Sequence, residues 1–321
     1  MFFFTTPWGI ALFILIVLLA VLISYLACIA LIAHIIYVMH LKRTSPEKWT
    51  RECSSKDDYQ LAMYNEGLAW AEKYSHLKKD VQIVSEGLRL YGEFYDLGGE
   101  KAVVTVSGRT EGLRYGYYFA KPYTDAGWSV LTIDQRAHGE SDGKFNTLGF
   151  EEHKDLIAWT NCLRDKFGIK KVVYHGICIG SATSLYALVS PNRSDIAAGL
   201  VGEGMYPNFS ESFKNHMIEL NRPTFPCMNF VHMWMKIYTG HKMTKGPLNL
   251  IQKLDHPILM LHSREDKYSL PNRAEELYAL CASKAKRIVW FPHGGHSQLR
   301  YVDKETYDQA VSEFIASISR E

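Results

Sequence analysis

Three residues in the second half of this 321-residue chain, Cys178, Asp266 and His296, have the types and the order that nucleophilic acyl transfer needs. A thiol attacks a carbonyl only if a base takes its proton, and the base works best when an acid fixes its tautomer. Cys178 is the centre of Gly176-Ile177-Cys178-Ile179-Gly180, between the apolar run 172–175 and the helical stretch 181–189. A strand-to-helix turn this tight lifts its central side chain above the sheet, and glycines are needed where side chains would collide. The same turn is a helix N-terminus, where the dipole favours a thiolate and the N–H of Ile179 can hold an oxyanion. Asp266 lies in Ser263-Arg264-Glu265-Asp266-Lys267-Tyr268, just past the apolar run 258–262. His296 lies in His293-Gly294-Gly295-His296-Ser297, just past the run 287–291. Both places are carboxyl ends of expected strands, where parallel sheets gather their sites. A Cys between small residues is more often a buried core thiol; the order nucleophile, acid, base is what sets Cys178 apart.

Rivals exist for each role. Glu265 is adjacent to Asp266 and could be the acid, although neighbouring residues point in different directions. His293 could be the base, but the Gly294-Gly295 pair allows the sharp loop that returns His296 to the crest of the sheet. His175 precedes the elbow and reads as a buried structural residue. His153, His216, His232 and His241 have no partner pattern and read as surface or packing residues. His293 and His296 lack a third metal ligand, and the six cysteines show no metal spacing and no disulfide framework. No metal and no cofactor are expected. The formal charge of +2 leaves no basic footprint for nucleic acid.

The elements that must position these residues follow from periodicity. Strand-like runs fall at 81–84, 88–95, 102–106, 130–134, 172–175, 198–201, 258–262 and 287–291; helical stretches fall at 115–126, 149–167, 181–189, 272–282 and 304–319. Several runs are apolar without alternation, as in strands covered on both faces. The alternation predicts an α/β fold, a mostly parallel central sheet with helices on both faces. Residues 205–250, rich in Met, Phe, Trp and Tyr, break the alternation and read as a helical cap insertion. Met228, Phe230, Met233, Trp234 and Met235 would either line an acyl pocket there or simply pack. Ahead of the domain, no Asp, Glu, Lys or Arg occurs from Trp8 to Met39, a run of 32 residues. As a helix it would measure about 48 Å against a hydrocarbon core of ~30 Å, which predicts one tilted or overhanging transmembrane helix. Lys42, Arg43, Lys48 and Arg51 follow the run and none precedes it, so the positive-inside rule places the domain on the cytoplasmic side. Ser55 and Asp58 suggest a capping box that starts an amphipathic helix carrying Leu61, Tyr64, Leu68 and Ala71. The expected organisation is an anchor over 1–43, a juxtamembrane amphipathic helix over 44–80 and one large domain over 81–321.

The segment Asp134-Gln135-Arg136-Ala137-His138-Gly139-Glu140-Ser141-Asp142-Gly143, followed by Thr147-Leu148-Gly149, resembles the D-x-R-x-H-G-x-S-x-G signature of the α/β-hydrolases. The chain is similar to the bacterial membrane-tethered serine hydrolases from about Gly67 to its C-terminus. Ser107-Gly108-Arg109 stands where that family has His-Gly-x, which implies that the N–H of Arg109 is the second oxyanion donor beside Ile179. The family's usual serine is replaced by Cys178, as in the dienelactone hydrolases. The resemblance implies a membrane-anchored ester or thioester hydrolase acting on a small-molecule or lipid-like acyl substrate. The contrasting expectation is a catalytically silent hydrolase-fold module at the membrane, since fold does not fix function.

Overall fold

The computed structural model describes residues 6–53, 55 and 57–319. It opens in one helix, α1 (Pro7–Leu41), started by the Thr6 hydroxyl, which accepts from Gly9 N at 3.1 Å. Its proline sits in the first turn, where a missing N–H leaves nothing unpaired. The 35 residues measure about 52 Å, well over the ~30 Å of a hydrocarbon core. The excess packs on the rest of the protein, along α7 (Cys227–Thr239). Trp234 Nε1 donates to Ala30 O at 3.0 Å, His34 Nε2 lies 2.7 Å from the Tyr238 hydroxyl, and buried Tyr37 stacks on Tyr238 at 5.2 Å. Residues 10–28 are exposed all round.

The basic residues after α1 are used by the fold. Arg43 donates to the carbonyls of Ser141 and Gly139 at 3.0 and 2.7 Å. Arg51 is paired with Asp134 and Glu140, each at 2.7 Å. The next helix, α2 (Asp58–Lys73), is capped by Asp57, which accepts from Tyr59 N at 2.9 Å. The expected box from Ser55 to Asp58 is therefore displaced: Ser55 serves the N–H of Asp57 instead. The buried face of α2 carries Met63, Tyr64, Gly67 and Trp70, with Leu68 and Ala71 beside them, whereas Leu61 points outward.

Eight strands form one sheet: β1 (Lys78–Ser85), β2 (Leu88–Tyr95), β3 (Lys101–Val106), β4 (Ser129–Ile133), β5 (Lys171–Ile177), β6 (Ala197–Glu203), β7 (Ile258–Ser263) and β8 (Lys286–Phe291). Their order is β1-β2-β4-β3-β5-β6-β7-β8. Only β2 runs against its neighbours; from β4 to β8 every pairing is parallel. The unbroken apolar runs have their physical reason in two separate cores. Ala102, Val104 and Val106 of β3 point into one core with Val172 and Tyr174 of β5, and Val103 and Val173 point into the other. The first face is covered by α4 (Glu152–Phe167) and α5 (Ile179–Val189), the second by α3 (Lys121–Asp125) and α10 (Lys304–Ser319).

The helix expected over 115–126 divides into a 3-10 segment, Leu113–Phe119, and the short α3. Pro122 explains the break, because it has no N–H to continue a helix and disfavours helical geometry in the residue before it. Residues 205–250 are helical, as expected, with α6 (Phe209–Glu219) and α7 inserted between β6 and β7. After β7 the chain continues through α8 (Pro271–Leu280), and the short α9 (Leu299–Val302) follows β8.

Candidate active site

The turn from β5 into α5 is as tight as its glycines suggest. A Cβ on Gly180 would stand 1.9 Å from Val106 O, and one on Gly176 would stand 2.4 Å from Gly180 C. No side chain fits at either place. Between them Cys178 has φ 54° and ψ −110°, a strained conformation for any residue with a side chain. Such strain costs about 1–3 kcal/mol and persists only where surrounding contacts enforce it. Here Cys178 N donates to Glu203 O at 2.9 Å on the neighbouring strand, and the Ser181 hydroxyl donates to Gly176 O at 2.6 Å.

Asp266 and His296 come together from the ends of β7 and β8. His296 Nδ1 lies 2.7 Å from Asp266 Oδ2, and the other carboxylate oxygen accepts the N–H groups of Tyr268 and Ser269, both at 2.8 Å. The side chains are 12 % and 2 % exposed. Burial alone would pull the His296 pKa down; the carboxylate of Asp266, and then Cys178 through charge and a hydrogen bond, outweigh it and hold it well above its usual value. For Asp266 the burial penalty is likewise outweighed by His296, so its pKa is lowered. Glu265 faces away and meets His293 at 3.1 Å on the surface. The ambiguity between neighbouring acids thus resolves into two separate pairs.

The loop after β3 carries Gly108 and Arg109 to the rim of the same cavity, a space of about 180 Å³ that Cys178 and His296 also line. Among the described residues, neither Ile179 N nor Arg109 N donates to another protein atom. The peptide of Arg109 is held from behind: His138 Nε2 lies 2.6 Å from Arg109 O. Trp49 stacks on His138 at 4.7 Å, and Asp134 accepts from the N–H groups of Leu113 and Glu140 at 2.8 and 3.0 Å. Arg136 pairs with Asp155 through two bonds of 2.6 and 2.7 Å. The residues of the 134–143 segment therefore brace the loop.

Known proteins share this fold. The family model described as alpha/beta hydrolase fold matches residues 101–215, from β3 through the elbow into α6. The structure of the Pyrococcus furiosus esterase Pf2001 superposes with a TM-score of 0.65 at 22% identity, covering 77% of this chain and 93% of that one. The chain has the α/β-hydrolase fold. Protein YqkD of Bacillus subtilis is 25% identical over 261 residues, 77% of this chain and 83% of its own length. The membrane protein YNL320W of Saccharomyces cerevisiae is 24% identical over 194 residues, 60% of this chain and 62% of its own.

Three residues at or behind this candidate site were not legible as such in the sequence. Glu111 lines the Cys178 cavity and accepts from Gly108 N at 2.9 Å; burial raises its pKa. His216, expected as a surface or packing residue, lines the same cavity from α6. Glu203, at the end of β6, is fully buried and accepts from the Tyr307 hydroxyl at 2.8 Å and Leu299 N at 3.2 Å. Behind it His175 lies 2.9 Å from the hydroxyls of both Tyr307 and Tyr123, the buried structural role its position suggests. Of the two readings of the Met-rich insertion, packing describes α7: Met228 and Met235 are core residues and Trp234 faces α1, because α7 is the helix that receives α1. The cavity takes its apolar wall from Phe209 and Phe213 of α6.

Proposed function

We propose that this chain is a membrane-anchored hydrolase that cleaves a carboxylic ester or thioester of an apolar acyl group, with Cys178 as nucleophile, His296 as base and Asp266 as orienting acid. The observation that carries the reading is the buried Asp266–His296 pair beside a thiol held at positive φ in a two-glycine elbow. Asp266 engages Nδ1, which leaves Nε2 to take the thiol proton. The Sγ–C bond forms as the carbonyl becomes tetrahedral, and its oxyanion rests on the N–H groups of Ile179 and Arg109. The imidazolium returns the proton to the departing alkoxide or thiolate, and the C–O or C–S bond breaks. Water then loses a proton to His296, attacks the thioacyl carbon and releases the acid and the free thiol.

Anchoring is supported by the length and composition of α1, the one candidate span among the described residues. The charge asymmetry around it favours a cytoplasmic domain, and so do six free cysteines. Arg43 and Arg51 serve the fold as well as this charge asymmetry.

Full-length protein in detergent, incubated with a panel of aryl esters and thioesters, should release acid and carry the acyl mass on the Cys178 peptide. Cys178→Ala should show no adduct and lose at least about 10³ in kcat. Equal turnover by Cys178→Ala would exclude the nucleophile; no turnover and no adduct with any substrate would leave a silent membrane-tethered module.

A further inference from the structure

An apolar groove of about 440 Å³ lies between α1 and the loop joining α6 to α7, away from the Cys178 cavity. Ile29, Ile32 and Ile36 form one wall, and Met217 and Phe225 stand on the other. The height of this groove follows from α1. The 23 residues from Pro7 to Ile29 measure about 34 Å, close to the ~30 Å of a hydrocarbon core. From Ala30 onward α1 is docked on α7. The groove therefore opens where the spanning part of α1 ends and the docked part begins. At the same level Phe225 is 80 % exposed, beside exposed Ile218 and Leu220. Water does not favour such a cluster; the edge of a bilayer does.

The groove and the Cys178 cavity have a common wall. On α6, Phe213 and His216 line the cavity and the next residue, Met217, lines the groove. His40, in the last turn of α1, packs edge-on against Phe213 at 5.2 Å. Cations gather at this junction, where Glu111 is the one acid acting on Arg109 through charge and Arg222 has no ion-pair partner among the described residues. Arg109 Nη1 lies 3.0 Å from both Nδ1 and O of His40, and Arg222 lines the groove. Among the described residues neither guanidinium has a carboxylate within ion-pair distance. Positive charge beside an apolar slot, above all that of Arg222 on the groove wall, suits an amphiphile with an acidic head.

We propose that the substrate is an anionic acyl lipid taken sideways from the bilayer, with an acyl chain in the groove between α1 and the cap and its acidic headgroup at Arg222 and Arg109. This rests on the hydrolase reading above and adds to it a substrate class and an entry route. The anchor then forms one wall of the substrate site.

The test uses the full chain in phosphatidylcholine vesicles containing phosphatidylglycerol with a terminal diazirine on one acyl chain. After illumination, peptide mapping should find the label concentrated on residues 29–36 and 217–227. Arg222→Gln should lower the yield several-fold for this probe and leave it unchanged for a phosphatidylcholine analogue. Ile32→Trp fills the groove from an exposed position, so the ratio of long-chain to short-chain ester kcat/KM should fall ~10-fold. Ile14→Trp, also exposed but far along α1, should not move that ratio. Label spread evenly along 10–28, or a ratio unmoved by Ile32→Trp, overturns the groove assignment. Loss of all ester turnover in the wild type would instead remove the hydrolase reading, while the label map still decides whether the groove takes a lipid chain.

Discussion

Two acid–histidine pairs lie side by side at the crest of the sheet, built from adjacent acids and from histidines three residues apart. Asp266 and His296 are 2 % and 12 % exposed, with a contact of 2.7 Å; Glu265 and His293 are 56 % and 74 % exposed, with a contact of 3.1 Å. The chemistry of the partners is nearly the same, so the difference lies in the surroundings. Asp266 also accepts two backbone N–H groups and sits beside His262, whereas Glu265 accepts one N–H, from Gly294, in solvent. A charge pair held in low dielectric changes protonation and orientation strongly; one in water is screened. Burial, and a thiol lining the same cavity as the imidazole, make one pair a candidate catalytic device and leave the other a surface contact.

The largest effect should separate the pairs by activity. Asp266→Ala should cut kcat for ester hydrolysis by about 10³–10⁴, the scale expected when an imidazole loses its orienting acid, whereas Glu265→Ala should barely change it. Iodoacetamide labelling near pH 6.5 gives a second reading without substrate. His296→Ala should slow alkylation of Cys178 by ~10-fold and His293→Ala should leave it alone. Equal losses at both pairs would abolish the distinction.

The sequence disclosed the catalytic order but not the surroundings that give it meaning. Strand 88–95 is found at the very residues expected, and the other strands within a few residues, because β-branched runs between turns leave few alternatives. Glycines 176 and 180 announced the elbow because only backbone fits against Val106 and Gly180. Glu111, Glu203 and His216 gave no local signal. Glu203 and His216 reach the site across the fold, one from a strand end that pairs with β5 and β7 and the other from the inserted cap, whereas Glu111 folds back onto its own loop at Gly108 N. The apolar run was legible as one long helix, but its docking on α7 depends on Trp234 and Tyr238, some 200 residues away.

A third acid behind the buried pair sharpens the contrast. Burial raises the pKa of Glu203 to about 7 from 4.5, against the opposing bonds from Tyr307 and Leu299 N. A raised carboxyl binds its proton more tightly in the folded chain, so its contribution is complete below pH 4.5 and is lost as pH rises through about 7. At 1.36 kcal/mol per pKa unit the loss is about 3 kcal/mol. Glu203→Gln keeps the shape and an acceptor but cannot ionise. Its thermal midpoint in detergent should therefore gain on the wild type across that window and level off above it. A gap that stays constant with pH would show that Glu203 does not titrate there. The buried Asp266–His296 pair has the opposite profile on its acid side: lowered Asp266 contributes above its usual 3.8 and loses that contribution as pH falls through its folded value.

The smallest expected effect belongs to the exposed pair, and salt is what isolates it. The Glu265 pKa is lowered first by the hydrogen bond with His293 and then by Gly294 N. That second bond, at 3.2 Å, ties Glu265 to the loop carrying His296, and the Ser263 hydroxyl donates to Gly294 O in the same turn. Removing Glu265 should loosen the loop slightly without touching the imidazole. Glu265→Ala is expected to lower kcat by less than about twofold at low ionic strength, with no measurable change in melting. At 1 M salt the Debye length is only about 3 Å, so the wild type should lose the electrostatic part of this contact and the two proteins should converge. Asp266→Ala should keep its full deficit at either salt concentration, because its partner is out of reach of mobile ions. A Glu265→Ala defect that grows with salt, or matches that of Asp266→Ala, would mean that the two pairs act as one network and that burial is not what distinguishes them.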